Sequence, residues 1–384
     1  MKNIFYLHAS AELYGSDKVL LNLVTGLDKK QFRPIVILPE AGPLLDTLKA
    51  SGIIVEVVAY PILRRKYFNP KGIFNYVRHY TASVTALAKL AKKYEADLIH
   101  VNTLAVLEGI LLKRRIHKPL VWHVHEIIEQ PKFLWRLTAF LSARYADKII
   151  AVSQAVKDNL TKAGYSKTGQ IAVVYNGILI PDLRQKSDFR SSLQIPEDAF
   201  VFGHIGRINA WKGQMDFLQA AAVLMPKFPK MQIIFSGSAF RGEAWREAEL
   251  KKAINQFPFR DKIHYLGFQQ NVAKVYRTID AFVSTSNRRE AFSLVAAEAM
   301  SWSKPVIAYD VSGPKEIIDD QNAGILVPLG NIAAVSAAMM GLIEDRLSAE
   351  KMGKAARKRI ADNFGIETFC QKISDIYMDV LANE

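Results

Sequence analysis

One cysteine, Cys370, occurs in 384 residues. No internal disulfide can form, and this usage is compatible with a reducing, cytoplasmic location. No apolar run approaches the roughly 18 to 20 residues that a membrane-spanning helix needs. The opening "MKNIFYLHAS" has a short apolar run ended by His8, too short for a secretory leader, and reads as a first buried strand. Internal repeats, low-complexity tracts, zinc-finger spacings and basic-aromatic RNA-binding patterns are all missing, so nucleic acid is not an expected partner. A D-x-D pair is missing too. "GHIGR" (203–207) is not a G-x-G-x-x-G, which removes support for a dinucleotide fingerprint.

What remains is a globular composition, 50% hydrophobic and 23% charged, with enough length for two domains. The charge is uneven. Residues 1–178 hold 25 Lys and Arg against 13 Asp and Glu, a net of +12 out of the chain's +14. The excess includes "ILRRKYFNPKG" (62–72) and "LLKRRIHK" (111–118). Scattered lysines serve solubility, but concentration in one half favours an anionic partner, with a membrane surface or lipid phosphate ahead of nucleic acid.

Short β-branched or aromatic runs alternate with amphipathic segments such as 16–27, 73–93 and 133–145. The first series of runs is 3–8, 33–39, 53–58, 97–102, 120–125, 148–153 and 171–176. A polar stretch with two prolines, 176–199, interrupts it as a linker and domain entry. A second series follows at 200–206, 231–237, 262–267, 281–286, 304–310 and 324–328. This pattern predicts an α/β chain of two doubly wound Rossmann-like domains facing a central cleft, with ligands beyond the carboxyl ends of the strands. The expected division is 1–178, 179–364 and a C-terminal helix, 365–384, packing back on the first domain.

"GRINAWKG" (206–213) puts Arg207 and Lys212 just past a strand end. Arginine offers a planar fork and lysine a mobile point charge, a pairing suited to a diphosphate, although a solvated basic loop would look the same. "REAFSLVAAEAM" (289–300) adds a second piece. Ser293 is a predicted helix N-cap, with helix from Leu294 to Met300. Amides near Leu294 and Val295, with the positive dipole end, would then form an anion site. Glu290 precedes the helix and Glu298 lies inside it, so the carboxylates straddle that point. Carboxylates accept from hydroxyls. An anion flanked by hydroxyls describes a nucleotide sugar, whose diphosphate Arg207, Lys212 and the helix start would neutralise without a required metal. Asp319-Asp320 reads as an ordinary turn.

These stretches resemble the signature of glycosyltransferase family 4, retaining enzymes of GT-B fold. The E-x7-E element, the Lys304-Pro305-Val306 strand, Gly313-Pro314-Lys315-Glu316 and "LGFQQNVAKVYRTIDAFVSTS" (266–286) match. So do "YGSDKVLLNLV" (14–24) and "VYNGI" (174–178). The resemblance implies a hexosyltransferase moving sugar from a nucleoside-diphosphate sugar, with donor held by residues 200–330 and acceptor mainly by residues 1–178. Arg207 and Lys212 would hold the diphosphate, Glu290 the sugar hydroxyls and Glu298 the ribose. Backbone amides of Phe292, Ser293, Leu294 and Val295 would meet sugar and phosphate, Gly267 the base, and Gly15 the phosphates. His125 would contact the donor sugar near the reacting carbon through its backbone or side chain. No cofactor beyond the nucleotide-sugar co-substrate is implied. The acceptor would be a saccharide or lipid-linked saccharide of bacterial polysaccharide, lipopolysaccharide or glycolipid synthesis. The enzyme would be cytoplasmic, or peripheral on the inner face of the cytoplasmic membrane through its basic first domain.

There are departures from the family pattern. Ser16 replaces a second glycine, Ala291 and Ser293 replace the glycines of an E-G-F-G form, and Trp302-Ser303 stands for Ala-Gly. A nucleotide-sugar epimerase of the same fold and a non-catalytic nucleotide-sugar-binding module are the rival classes. His123 and His125 in "HVHE" share a strand face and could instead ligate a metal. That would need ligands from other strand ends, His204 and His264 by pattern, and a barrel that two domains argue against. His123 reads as a buried, hydrogen-bonded structural residue, and His8 and His100 as possible lining of the cleft.

Overall fold

The structure, a computed structural model, describes residues 1–64, 67–184, 188–240, 242–318 and 322–383. The Asp319-Asp320 turn lies outside the described residues. The chain forms two compact units, Met1–Gly177 with Ile366–Glu384, and Ile178–Gly365.

The first unit contains β1 (Lys2–Leu7), β2 (Phe32–Leu38), β3 (Ile54–Val57), β4 (Leu98–Val101), β5 (Leu120–Val124), β6 (Lys148–Ala151) and β7 (Ile171–Val173). They form one sheet in the order β3-β2-β1-β4-β5-β6-β7, with every pair parallel. The central strands are buried throughout, as a sheet covered on both faces requires, which is why they read as apolar runs rather than alternating ones. The second unit contains β8 (Phe200–Ile205), β9 (Met231–Ser236), β10 (Ile263–Tyr265), β11 (Ala281–Ser284), β12 (Val306–Tyr309) and β13 (Ile325–Val327). Their order is β10-β9-β8-β11-β12-β13, again parallel.

Each order reverses once, between β1 and β4 and between β8 and β11. At such a reversal the loops leaving two neighbouring strands part to opposite faces and open a crevice at the carboxyl edge. The loops at these crevices are therefore 8–14 with 102–107, and 206–213 with 285–293.

The last helix, Ile366–Ala382, packs on helix Gly15–Gly26 within the first unit. Its stripe Ile366, Phe369, Ile373, Tyr377 and Val380 is buried, while Ile376 stays half-buried. The Tyr377 hydroxyl meets the Tyr6 hydroxyl at 2.9 Å and His100 Nδ1 at 2.7 Å. Without these bonds the buried hydroxyls would be costly to desolvate. The stretch 176–199 carries the chain between the units and includes one helical turn, Phe189–Ser192.

Candidate active site

In the second unit the reversal point collects the predicted donor residues. Arg207 and Lys212 leave β8, and Glu290 leaves β11. Gly213 fastens the two loops. Its φ is +69°, and a Cβ there would stand 1.9 Å from the Thr285 carbonyl oxygen, so only glycine fits. The Thr285 hydroxyl donates to the Gly213 carbonyl at 2.7 Å. Across this seam Lys212 Nζ pairs with Glu290 Oε1, at 20% and 11% side-chain exposure. The Ser286 hydroxyl donates to the same oxygen at 2.5 Å. Burial alone would raise the Glu290 carboxyl, but Lys212 and Ser286 outweigh it and hold Glu290 below its ordinary range. Arg207 stacks its guanidinium 3.7 Å from the Phe240 ring centroid, a contact that fixes its plane.

Helix Leu294–Ser301 starts beside Glu290, and Glu298 lies on its second turn. The Tyr276 hydroxyl donates to Glu298 Oε2 at 2.8 Å, which fixes that carboxylate's orientation. The helix start differs from expectation. Ser293 occupies the N-cap position, but its hydroxyl makes no cap bond. Its φ of −82° and ψ of 79° place it at the centre of an inverse γ-turn, in which the Leu294 N–H donates to the Phe292 carbonyl at 3.0 Å. That amide is therefore engaged within the chain and is not an open donor. Phe292, Leu294 and Val295 are half-buried and border the turn. Gly267, at φ +63°, has open space where a Cβ would stand.

In the first unit, Gly15 opens helix Gly15–Gly26 after β1, again with open space at its Cβ position, and His125 follows β5 directly. A buried polar chain joins the two loops. His8 Nε2 lies 2.7 Å from Asp17 Oδ1, Asn102 Nδ2 lies 3.1 Å from His8 Nδ1, and His125 Nε2 lies 3.1 Å from Asn102 Oδ1. Asp17 also accepts from Ser10 Oγ at 2.5 Å and from the Tyr14 amide at 3.0 Å. Burial opposes its charge, yet the bonds from His8, Ser10 and Tyr14 prevail and hold its carboxyl low. Burial pushes His125 down to about 3, aided by the nearby His8 and His100.

The comparisons with known proteins agree on both halves. Residues 14–179 match the family described as Glycosyltransferase Family 4, and residues 185–359 match Glycosyl transferases group 1. The chain belongs to glycosyltransferase family 4. It is similar to the UDP-Gal:alpha-D-GlcNAc-diphosphoundecaprenol alpha-1,3-galactosyltransferase of Escherichia coli, at 24% identity over 97% of this chain and 95% of that protein. It is also similar to Anabaena HepE solved with UDP and glucose, at 27% identity and a TM-score of 0.85, covering 98% of this chain and 100% of that one. The same Anabaena protein solved with UDP-glucose gives 26% identity and a TM-score of 0.85, covering 99% and 100%. This family 4 member is thus a hexosyltransferase with two GT-B-type Rossmann-like domains and a nucleotide-sugar co-substrate.

Several residues of the glycosyltransferase escaped sequence reasoning. Glu126 is one. It accepts from Thr103 Oγ1, from the Leu104 amide at 3.3 Å and from the His125 amide at 3.2 Å, and burial raises its carboxyl. Asn102, Asp17, Tyr276 and Phe240 are others. The clue for Asn102 and Glu126 was position alone, since each stands just beyond a strand's carboxyl end. His123 is buried as expected but has no hydrogen-bond partner on either ring nitrogen among the described residues, and the ring instead packs 4.2 Å from His125 and 6.3 Å from Phe369. His204 Nδ1 bonds the Val283 carbonyl at 3.0 Å, and His264 Nε2 meets Gln232 at 2.9 Å. Both belong to the second unit, and neither joins His123 or His125 in a ligand cluster among the described residues.

Proposed function

We propose that this glycosyltransferase moves a hexose from a uridine diphosphate sugar to a hydroxyl of a lipid-linked saccharide, with retention of configuration and without a required metal. The observation that carries the reading is the convergence of Arg207, Lys212 and Glu290 at the chain-order reversal of the second sheet. The UDP-bound Anabaena relative and the UDP-Gal-dependent E. coli relative support uridine as the base, and the latter's diphosphoundecaprenol acceptor supports a lipid-linked one. Arg207 and Lys212 take the diphosphate, Glu290 the sugar hydroxyls and Glu298 the ribose hydroxyls. Gly267 leaves room for the base, Gly15 adjoins the phosphates, and His125 meets the donor sugar. As the bond from the anomeric carbon to phosphate breaks and the bond to the acceptor oxygen forms, the departing phosphate oxygen takes the acceptor's proton. The side chains act by orientation and by stabilising charge that grows on the diphosphate.

A lipid-linked acceptor brings the enzyme to a bilayer. No helix among the described residues is long and apolar enough to cross one. Helices Pro70–Lys93 and Lys132–Tyr145 instead expose Phe74 (68%) and Phe133 (57%), with Ile73, Val77 and Leu137 also exposed. Phe68, just before the first of these helices, meets Phe133 of the second edge to face at 5.6 Å, and Lys71, Arg78, Lys132 and Arg136 are exposed along them. Aromatic anchors among cations suit an anionic lipid interface.

Thermal unfolding with UDP, UDP-glucose and UDP-galactose, with and without a chelator, tests the donor site. Ligand at a hundredfold excess over its Kd stabilises by about 2.7 kcal/mol. The shift is expected to survive the chelator and to vanish in Arg207→Ala and Lys212→Ala. A shift unchanged in those variants refutes the phosphate assignment.

A further inference from the structure

The polar chain ending on His125 has a direction. Asp17, held as a carboxylate, can only accept, so His8 must donate to it from Nε2. The Asn102 amide nitrogen, which can only donate, faces His8 Nδ1 at 3.1 Å, so that ring nitrogen accepts. This orientation turns Asn102 Oδ1 toward His125, whose Nε2 must carry the proton. Each bond fixes the next, so the charge at Asp17 sets the tautomer of a ring three residues along the chain of contacts. His125 is left with one acceptor, Nδ1, while its one side-chain hydrogen bond among the described residues runs through Nε2.

We propose that Asp17, His8 and Asn102 are positioning residues that hold His125 neutral, proton on Nε2, so that Nδ1 accepts a hydrogen bond from a sugar hydroxyl of the substrate. This rests on the reading that His125 meets the donor sugar. Asp17 comes from helix Gly15–Gly26, and His8, Asn102 and His125 each stand one residue past the carboxyl ends of β1, β4 and β5, so the tautomer is set at the carboxyl edge of the sheet. Burial suits this arrangement, since His8, Asp17 and Asn102 are all buried and burial disfavours an imidazolium on His125. Glu126 braces the same residue from its backbone side by accepting from the His125 amide. The other titratable groups in the neighbourhood, His100 and His123, are buried and neutral by the same desolvation.

The test combines imidazole nitrogen NMR on the labelled full chain with calorimetric binding of UDP and of the tighter-binding of UDP-glucose and UDP-galactose. Signals are assigned by their loss in His125→Gln. Wild type should show His125 neutral with the proton on Nε2 between about pH 5.5 and 8.5. Asn102→Asp puts a carboxylate against His125 Nε2 and should bring the ring into titration in that window. As the Nδ1 lone pair is then protonated at low pH, UDP-sugar affinity should fall roughly 3- to 10-fold while UDP affinity holds, the worth of one hydrogen bond. Asn102→Leu should lose the same factor at every pH. A wild-type His125 protonated on Nδ1, or charged above pH 5.5, overturns the relay. A correct tautomer in wild type, but with His125→Gln binding the UDP-sugar as wild type does, overturns instead the assignment of His125 to the sugar and reduces the network to a structural one.

Discussion

Lys212 is paired with Glu290, the residue assigned to the sugar. Donor binding must therefore draw Lys212 toward the diphosphate, and in doing so it frees Glu290 oxygens for hydroxyls. Glu290→Gln separates these two effects. Two unit charges about 4 Å apart interact by about 4 kcal/mol at an effective dielectric of about 20, an upper bound for a pair that retains 20% and 11% exposure. Removing the competitor should then strengthen UDP binding by about 1 kcal/mol, or roughly fivefold. The sugar loses hydrogen bonds to a charged acceptor, worth about 1.5–3 kcal/mol. The UDP-sugar should therefore weaken roughly 10- to 100-fold relative to UDP. Calorimetry with UDP and UDP-glucose on wild type and variant reads both numbers. Weaker UDP binding in Glu290→Gln, or an unchanged ratio between the two ligands, would show that the pair is only structural.

Two further outcomes concern stability. Ser303, at φ +57° just past helix Leu294–Ser301, sits in the left-handed region that favours glycine, so Ser303→Gly should raise stability by about 1 kcal/mol in denaturant titration. Among the described residues, buried Glu108 has no side-chain partner for either carboxyl oxygen, and burial pushes it up to about 8. Its folded form therefore keeps a proton that the unfolded chain releases near the ordinary carboxyl range, so stability should fall as pH rises from about 4.5 to about 8 and level off above. Glu108→Gln should remove this slope; a wild-type stability that does not decline across that window would show that the carboxyl finds a partner.

The strands were legible because a parallel sheet buries both faces. Runs such as "NIFYLH" and "FVFGHIG" carry the apolar signal along most of their length, and these two appear as strands within one residue of their expected bounds. Glu290 and Glu298 were legible as a spacing, since a helix start between them follows from local pattern. Their partners were not. Lys212 reaches Glu290 only because β8 and β11 are neighbours, and strand order is not written in any local run. Asn102 was silent for the same reason, because β4 must lie beside β1 before it can touch His8. Ser293 stands at the helix N-cap as its residue type suggests, but its hydroxyl makes no cap bond, because the backbone there closes a γ-turn that spends the first amide on Phe292.

The last helix of the chain completes the first unit. Tyr6 on the first strand and His100 on the fourth have their hydroxyl and ring nitrogen satisfied by Tyr377, and Cys370 fills the space against Gly26. Synthesis is vectorial, so residues 178–365 are made before those 19 residues exist. The nascent first sheet must wait with its Phe369 and Tyr377 sockets open while residues 178–365 are made. The order in which the units are finished is thus the reverse of the order in which they are begun. A chaperone acting on this protein during translation would find its apolar surface on the half made first.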